Sequence, residues 1–92
     1  MAKKTTVSLG HALDIQNASA LKSRLENALS KSLPVVLVSD KVEKADTAGL
    51  QLIYSFIKEV ENQGRDVSWQ KPSDSLIQAS ETLGLSEKLY LT

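Results

Sequence analysis

The strongest constraint on the fold is the continuous apolar run VVLV at residues 35–38, which lies between two segments with helical periodicity. Four consecutive apolar residues without polar alternation are typical of a strand in the interior of a sheet, buried on both faces. Such a strand needs neighbouring strands and covering helices. The run therefore predicts an α/β arrangement with this segment at its centre.

Two further segments, residues 5–9 and 66–70, have the alternating or β-branched pattern of strands. Helical patterns lie between and after them. The first follows Asn17 as a predicted N-cap and ends before Pro34; its expected inward residues are Leu21, Leu25, Ala28 and Leu29.

The second helical segment, residues 47–63, is apolar on more than one side and is closed by Gly64 as a left-handed cap. The third is opened by Pro72 and Ser73 and ended by Gly84, with predicted inward residues Leu76, Ile77, Ala79 and Leu83. We therefore predict one α/β domain over residues 1–92, with three helices and a parallel-containing sheet of about four strands. Polar loops beyond the carboxyl ends of such strands commonly carry function.

Composition excludes several classes of function. The 92 residues are 41% apolar and 24% charged, with a formal net charge of zero, so nothing indicates general nucleic-acid binding. The chain has no cysteine, and therefore no disulfide or thiol chemistry. Its apolar runs are too short for a membrane span, and its start lacks the apolar core of a signal peptide. We expect a cytoplasmic protein that is not inserted in a membrane.

The segment ADTAGL at residues 45–50 is the candidate functional site. It places the hydroxyl of Thr47 beside the carboxylate of Asp46, where a helix begins. Unpaired backbone N–H groups and the helix dipole tolerate an added phosphate there. This combination favours a switch for protein–protein contact over a catalytic centre.

Each of these residues also has a purely structural interpretation. Thr47 or Asp46 could cap the helix, and Gly49 could be required because a side chain would collide with a neighbouring strand. Asp14 fits a turn, and Asp40 fits a solvated loop. The single histidine, His11, is expected at the surface or in a strand and not at a metal.

The ordered motifs of the chain resemble the STAS domains, the sulfate transporter and anti-sigma factor antagonist domains. The similarity covers nearly the whole chain and rests on Val42, Asp46, Thr47, Gly49 and Leu50 after an apolar strand. The upstream segment LGHALD at residues 9–14 and the downstream segments at residues 64–67 and 83–85 also fit.

The resemblance implies partner switching: the unmodified domain binds a serine-kinase-type anti-sigma factor, and phosphorylation after the aspartate breaks the contact. Transferred to this chain, the phosphoacceptor is Thr47. The implied partner-binding residues are Asp14, Asp40, Asp46, Thr47, Ala48, Gly49 and Gln51. The threonine and the alanine after it also resemble STAS subunits that dock on the ATPase of phospholipid-transport complexes. The alternative is thus a constitutive accessory subunit of a transport ATPase or a signalling complex.

Two departures from the family pattern affect these expectations. The first strand-like run, residues 5–9, lies where the family often has a further edge strand before it, so either the sheet is one strand short or its edge is covered by another protein. An exposed edge could also support a homodimer. Val38 stands where the family often has an aspartate, and Asp40 follows two residues later.

An enzyme is not predicted, because one histidine builds no catalytic triad. A phospho-receiver is the weaker alternative, and neither a metal nor a nucleotide cofactor is expected.

Overall fold

The computed structural model describes residues 3–91, and these residues form an α/β arrangement of strands and helices. A 3-10 turn, Ile15–Asn17, precedes the first α-helix. The described strands are β1 (Thr5–Ser8), β2 (Ala12–Leu13), β3 (Val35–Val38), β4 (Lys44–Ala45) and β5 (Val67–Gln70). The described α-helices are α1 (Ala18–Ser30), α2 (Thr47–Asn62) and α3 (Asp74–Thr82).

The main sheet has the strand order β1-β3-β5, and both pairs of neighbours are parallel. In its central row, Val7 lies beside Leu37, which lies beside Trp69. The short strands β2 and β4 form a separate parallel pair. The predicted α/β fold with a parallel sheet and three helices is confirmed. The described strands form two sheets: one of three strands, and a separate pair made of the two-residue strands β2 and β4.

The central strand β3 is covered less evenly than its sequence predicts. Val35 and Leu37 are buried in the core together with residues of α1 and α2, whereas Val36 and Val38 are only half-buried. Their neighbours on the second face, such as Thr6 and Ser68, are exposed. The prediction that β3 is buried on both faces is therefore wrong for the face of Val36 and Val38. The buried residues of α1 and α2 belong to the core that covers the opposite face, which carries Val35 and Leu37.

Helix α2 is the central helix, as its broad apolar pattern predicts. It ends before Gly64, which has a φ of +77° and serves as the predicted left-handed cap. Arg65, next in the chain, donates guanidinium hydrogen bonds to the carbonyls of Leu29 and Leu33 and so holds the end of α1. The buried residues of α2 are Gly49, Leu50, Ile53, Phe56, Ile57 and Val60.

Two predicted helix details are wrong. Asn17 occupies the N-cap position of α1, but its side-chain oxygen accepts no hydrogen bond from the helix, and its side-chain nitrogen donates to Asp14. Leu83, predicted to face inward, is 39% exposed at the end of α3, whereas Ser80 is buried. Ser80 satisfies its hydroxyl within the helix, and Leu85 in the next turn takes the inward apolar position. Within residues 3–91, no helix is both long and apolar enough to cross a membrane.

Candidate functional site

Asp46 organises the start of α2. Its backbone is extended, and its Oδ1 accepts a hydrogen bond from the N–H of Gly49 at 2.9 Å, which is the N-cap geometry. Its Oδ2 accepts a second hydrogen bond, at 3.3 Å, from the N–H of Ile15. Its own N–H donates to the carbonyl of Leu13 at 2.9 Å. Asp46 therefore caps α2, as one of the structural interpretations predicted, and also ties the helix to the loop after β2.

Thr47 is the first residue of α2, and its side chain is exposed. The alternative prediction that Thr47 caps the helix is wrong, since Asp46 occupies that position. Among residues 3–91, no hydrogen bond engages the Thr47 hydroxyl. The hydroxyl thus lies at the positive end of a 16-residue helix and is accessible from solvent. Its role as a phosphoacceptor stays a prediction.

Gly49 is buried in the first turn of α2, where the helix lies against β2. A Cβ at this position would lie 2.0 Å from the carbonyl oxygen of Leu13 and 2.3 Å from its carbonyl carbon. No side chain fits there, so the glycine is required by the close approach of α2 to β2. This confirms the structural interpretation that the sequence offered for Gly49, and its part in a partner contact stays a prediction.

Asp14 is nearly buried beneath the same loop, with an exposed fraction of 9%. Its Oδ1 accepts hydrogen bonds from the side-chain amide of Asn17 at 2.7 Å and from the Asn17 backbone N–H at 3.1 Å. The Nζ of Lys44 lies 3.4 Å from its Oδ2. The Asn17 amide is the largest factor that holds the pKa of Asp14 below its ordinary value. Asp14 therefore stabilises the loop, in agreement with its interpretation as a turn residue, and its partner contact stays untested.

A groove runs beside Thr47 between α1 and α2. It has a volume of about 500 Å³ and brings Ala48 and Gln51, two predicted partner-binding residues, together on one wall. Ala18 and Lys22 of α1 lie on the opposite wall, and Leu52 forms a half-buried apolar part of the lining. A surface of this kind can receive a side chain from another protein.

A second groove, of about 480 Å³, lies between β4 and α3 on the other side of Asp46. Leu83 lines it and is partly exposed. Ile15, in the loop bonded to Asp46, is 71% exposed, which is unusual for a large apolar residue. Sequence reasoning missed Ile15 and assigned Leu83 to the core instead of to this surface. Ile15 had one available signal, an apolar side chain within the polar stretch at residues 14–17.

The other predicted positions lie outside this arrangement. Asp40 is exposed in the turn that follows β3 and has no ion pair among residues 3–91. His11 is exposed, as predicted, and its Nδ1 lies 3.4 Å from a carboxylate oxygen of Glu43. Asp46, Thr47 and the α1–α2 groove therefore lie close together at the start of α2. Asp40 lies in the turn after β3 and lines neither groove, and its role in partner binding stays a prediction.

The family model of the STAS domain matches residues 3–92, nearly the whole chain. The chain belongs to the STAS domain family. This confirms the resemblance that the motifs around Asp46 and Thr47 indicated. No curated protein matches the STAS chain by sequence.

Solved structures similar to this STAS chain agree with its fold. The NMR structure of the protein TM1081 has a TM-score of 0.75 and 20% identity, with 94% of this chain and 70% of that chain covered. The anti-sigma factor antagonist SpoIIAA in its unphosphorylated form has a TM-score of 0.73 and 15% identity, with 95% and 77% covered. At these identities the likeness establishes the fold alone.

Proposed function

We propose that this STAS domain is a regulatory protein-binding module whose contact with its partner is controlled by phosphorylation of Thr47. The observation that carries the proposal is the exposed Thr47 hydroxyl at the start of α2, left unused because Asp46 supplies the cap. A kinase can reach such a hydroxyl without unfolding the domain. The proposal places the domain in the cytoplasm, where ATP is available, and assigns it no catalysis of its own.

The surroundings of Thr47 support docking of a protein. The α1–α2 groove begins at Ala48, next to Thr47, and the β4–α3 groove includes Asp46. Ile15 and Leu83 add exposed apolar surface, which partners commonly bury. A partner that contacts both grooves would cover Thr47. We propose, by family likeness, that this partner is an anti-sigma factor of the serine-kinase type.

Phosphate at Thr47 would oppose this docking through charge. It adds about −1.5 to −2 charges beside the carboxylate of Asp46. The partial positive charge at the helix N-terminus stabilises the added phosphate by only about 0.3–1 kcal/mol. A dianion buried in an interface costs several kcal/mol unless the partner supplies cations. The phosphorylated domain can therefore stay folded while it loses its partner.

The test compares Thr47→Glu with Ser23→Glu, which adds the same charge to an exposed residue of α1 outside both grooves. Each protein is used as bait in lysate of the source organism, and captured proteins are quantified by mass spectrometry. We expect one stoichiometric partner whose recovery falls by at least about tenfold with Thr47→Glu, since an anion buried in an interface without a partner cation costs several kcal/mol.

The same experiment includes intact-mass analysis of the endogenous protein, which should reveal a phosphorylated fraction, and fragmentation of its peptides, which should locate the phosphate at Thr47. Equal recovery of the partner with both glutamate variants, in folded proteins, would contradict the switch. A stoichiometric transport ATPase that ignores Thr47→Glu would support the accessory-subunit alternative instead.

A further inference from the structure

The second surface of interest is the open edge of the main sheet. Strand β1 pairs with β3 on one side, and among residues 3–91 no strand pairs with its other side. The N–H groups of Thr5 and Leu9 donate to β3-side carbonyls, so alternation directs the amide groups of Thr6 and Ser8 away from β3. These groups form a template on which another extended chain can pair.

A groove of about 160 Å³ lies along this edge, between β1 and α1. It is lined by Arg24, Asn27 and Ala28 of α1 and by Lys31, the residue that caps the carboxyl end of this helix. These positions follow the spacing i, i+3, i+4 and i+7, so they share one face of the helix. The groove wall contains two cationic side chains and no carboxylate.

Positively charged side chains lie next to the outer edge of β1. The Arg24 guanidinium donates a hydrogen bond of 3.0 Å to the carbonyl of Ser8, at the outer side of the strand. Lys3 and Lys4 precede β1 directly and are exposed. The strand edge is therefore surrounded by positive charge in a protein whose formal net charge is zero.

This charge decides between two occupants of the edge. A second copy pairing through β1 would bring Arg24 and Lys31 toward the same cations of its mate, and like charges across a pairing are unfavourable. An extended segment with carboxylates would instead gain ion pairs in addition to backbone hydrogen bonds. We propose that the free edge of β1 binds an extended acidic segment of a partner protein by strand addition. The site is separate from Thr47 and does not depend on the switch.

The test uses a capped eight-residue peptide of alternating glutamate and valine, and the amide NMR spectrum of the full chain. The backbone signals of Thr6 and Ser8 should move in a saturable manner. Neutralisation in the double variant Arg24→Gln with Lys31→Gln should weaken binding by about fivefold, the loss expected from two exposed ion pairs.

Matched controls separate specific pairing from general attraction. The double variant Lys41→Gln with Lys71→Gln removes the same charge from exposed positions outside this groove, and its affinity should match the unaltered protein. A lysine–valine peptide should not bind. A glutamate–valine peptide N-methylated at every residue has no N–H group on either edge, so it cannot pair with a strand, and it should not bind although the protein is unaltered.

Several results would overturn the proposal. Absence of saturation, equal binding of the lysine–valine or N-methylated peptide, or equal weakening in both double variants would each reject it. If sedimentation showed a dimer, and the amide signals that change with protein concentration were those of Thr6 and Ser8, the edge would be assigned to a second copy instead. None of these results bears on Thr47, so the two proposals fail independently.

Discussion

Replacing Gly49 with alanine tests the packing of the site most directly. The added Cβ would lie 2.0 Å from the Leu13 carbonyl oxygen, and atoms of this kind essentially never approach within 3.0 Å. The first turn of α2 and the β2 backbone would have to separate by roughly 1 Å. Both partners are backbone segments, so no side-chain rotation can relieve the clash.

The separation has a calculable cost. Overpacking costs about 1–3 kcal/mol. The hydrogen bonds from the Asp46 N–H to Leu13 and from the Ile15 N–H to Asp46 cross the same gap. Each is worth about 0.5–1.5 kcal/mol. Alanine regains about 1 kcal/mol of helix propensity. We expect Gly49→Ala to lower the free energy of unfolding by about 2–4 kcal/mol.

Urea unfolding followed by circular dichroism provides the assay, with Ala48→Gly as the matched control. Ala48 is exposed in the same turn, so its replacement should cost only the propensity difference of about 0.5–1 kcal/mol. If helix propensity alone governed this turn, Gly49→Ala would stabilise the protein. A neutral or stabilising result would refute the close-approach argument.

Two further predictions concern the loop that supports Thr47. Asp46→Ala removes the cap to Gly49 and the bond to Ile15, and should destabilise the fold by about 1–2 kcal/mol in urea unfolding. The pKa of Asp14 is lowered in the folded state, chiefly by the Asn17 amide, from its ordinary value of 3.8. Its stabilising contribution should therefore be complete above that value and lost as the pH falls below it, and Asn17→Ala should flatten this dependence in unfolding measured from pH 7 to pH 3.

A control variant tests the Asp46 prediction, and a direct titration tests the Asp14 prediction. Asp40→Ala removes an exposed carboxylate with no ion pair among residues 3–91, and should change stability by less than about 0.5 kcal/mol. Equal effects of Asp40→Ala and Asp46→Ala would reject the cap. An NMR titration in which Asp14 protonates at or above pH 3.8 would reject the pKa argument, because the folded state would then hold its proton no less tightly than the unfolded chain.

Much of the fold was predictable because its signals are local. The apolar run at Val35–Val38 and the broad apolar pattern of α2 depend on residues close together in the chain, and both elements form where the sequence predicts. The turn at Gly64 has the same local origin. The family motif around Asp46 and Thr47 was recognisable for that reason too.

The predictions that failed depend on local geometry that the residue pattern does not specify. Asn17 has the chemistry of a cap, but its side chain is hydrogen-bonded to Asp14, three residues earlier. Leu83 continues the apolar pattern of α3, yet the helix ends before it, and Leu85 fills the core. No local pattern encodes which of two suitable partners is nearer once the chain is folded.

The sequence by itself determined the three strands of the main sheet, the three helices, the family and the position of Thr47 at the start of a helix, because periodicity and short motifs carry that information. Tertiary structure alone decided that Asp46 joins α2 to the Ile15 loop, that the Leu13 carbonyl is the group that approaches Gly49, and that Arg24 lies beside the edge of β1. The physical reason is that these features arise from distances between segments far apart in the chain, which only the packed core brings together.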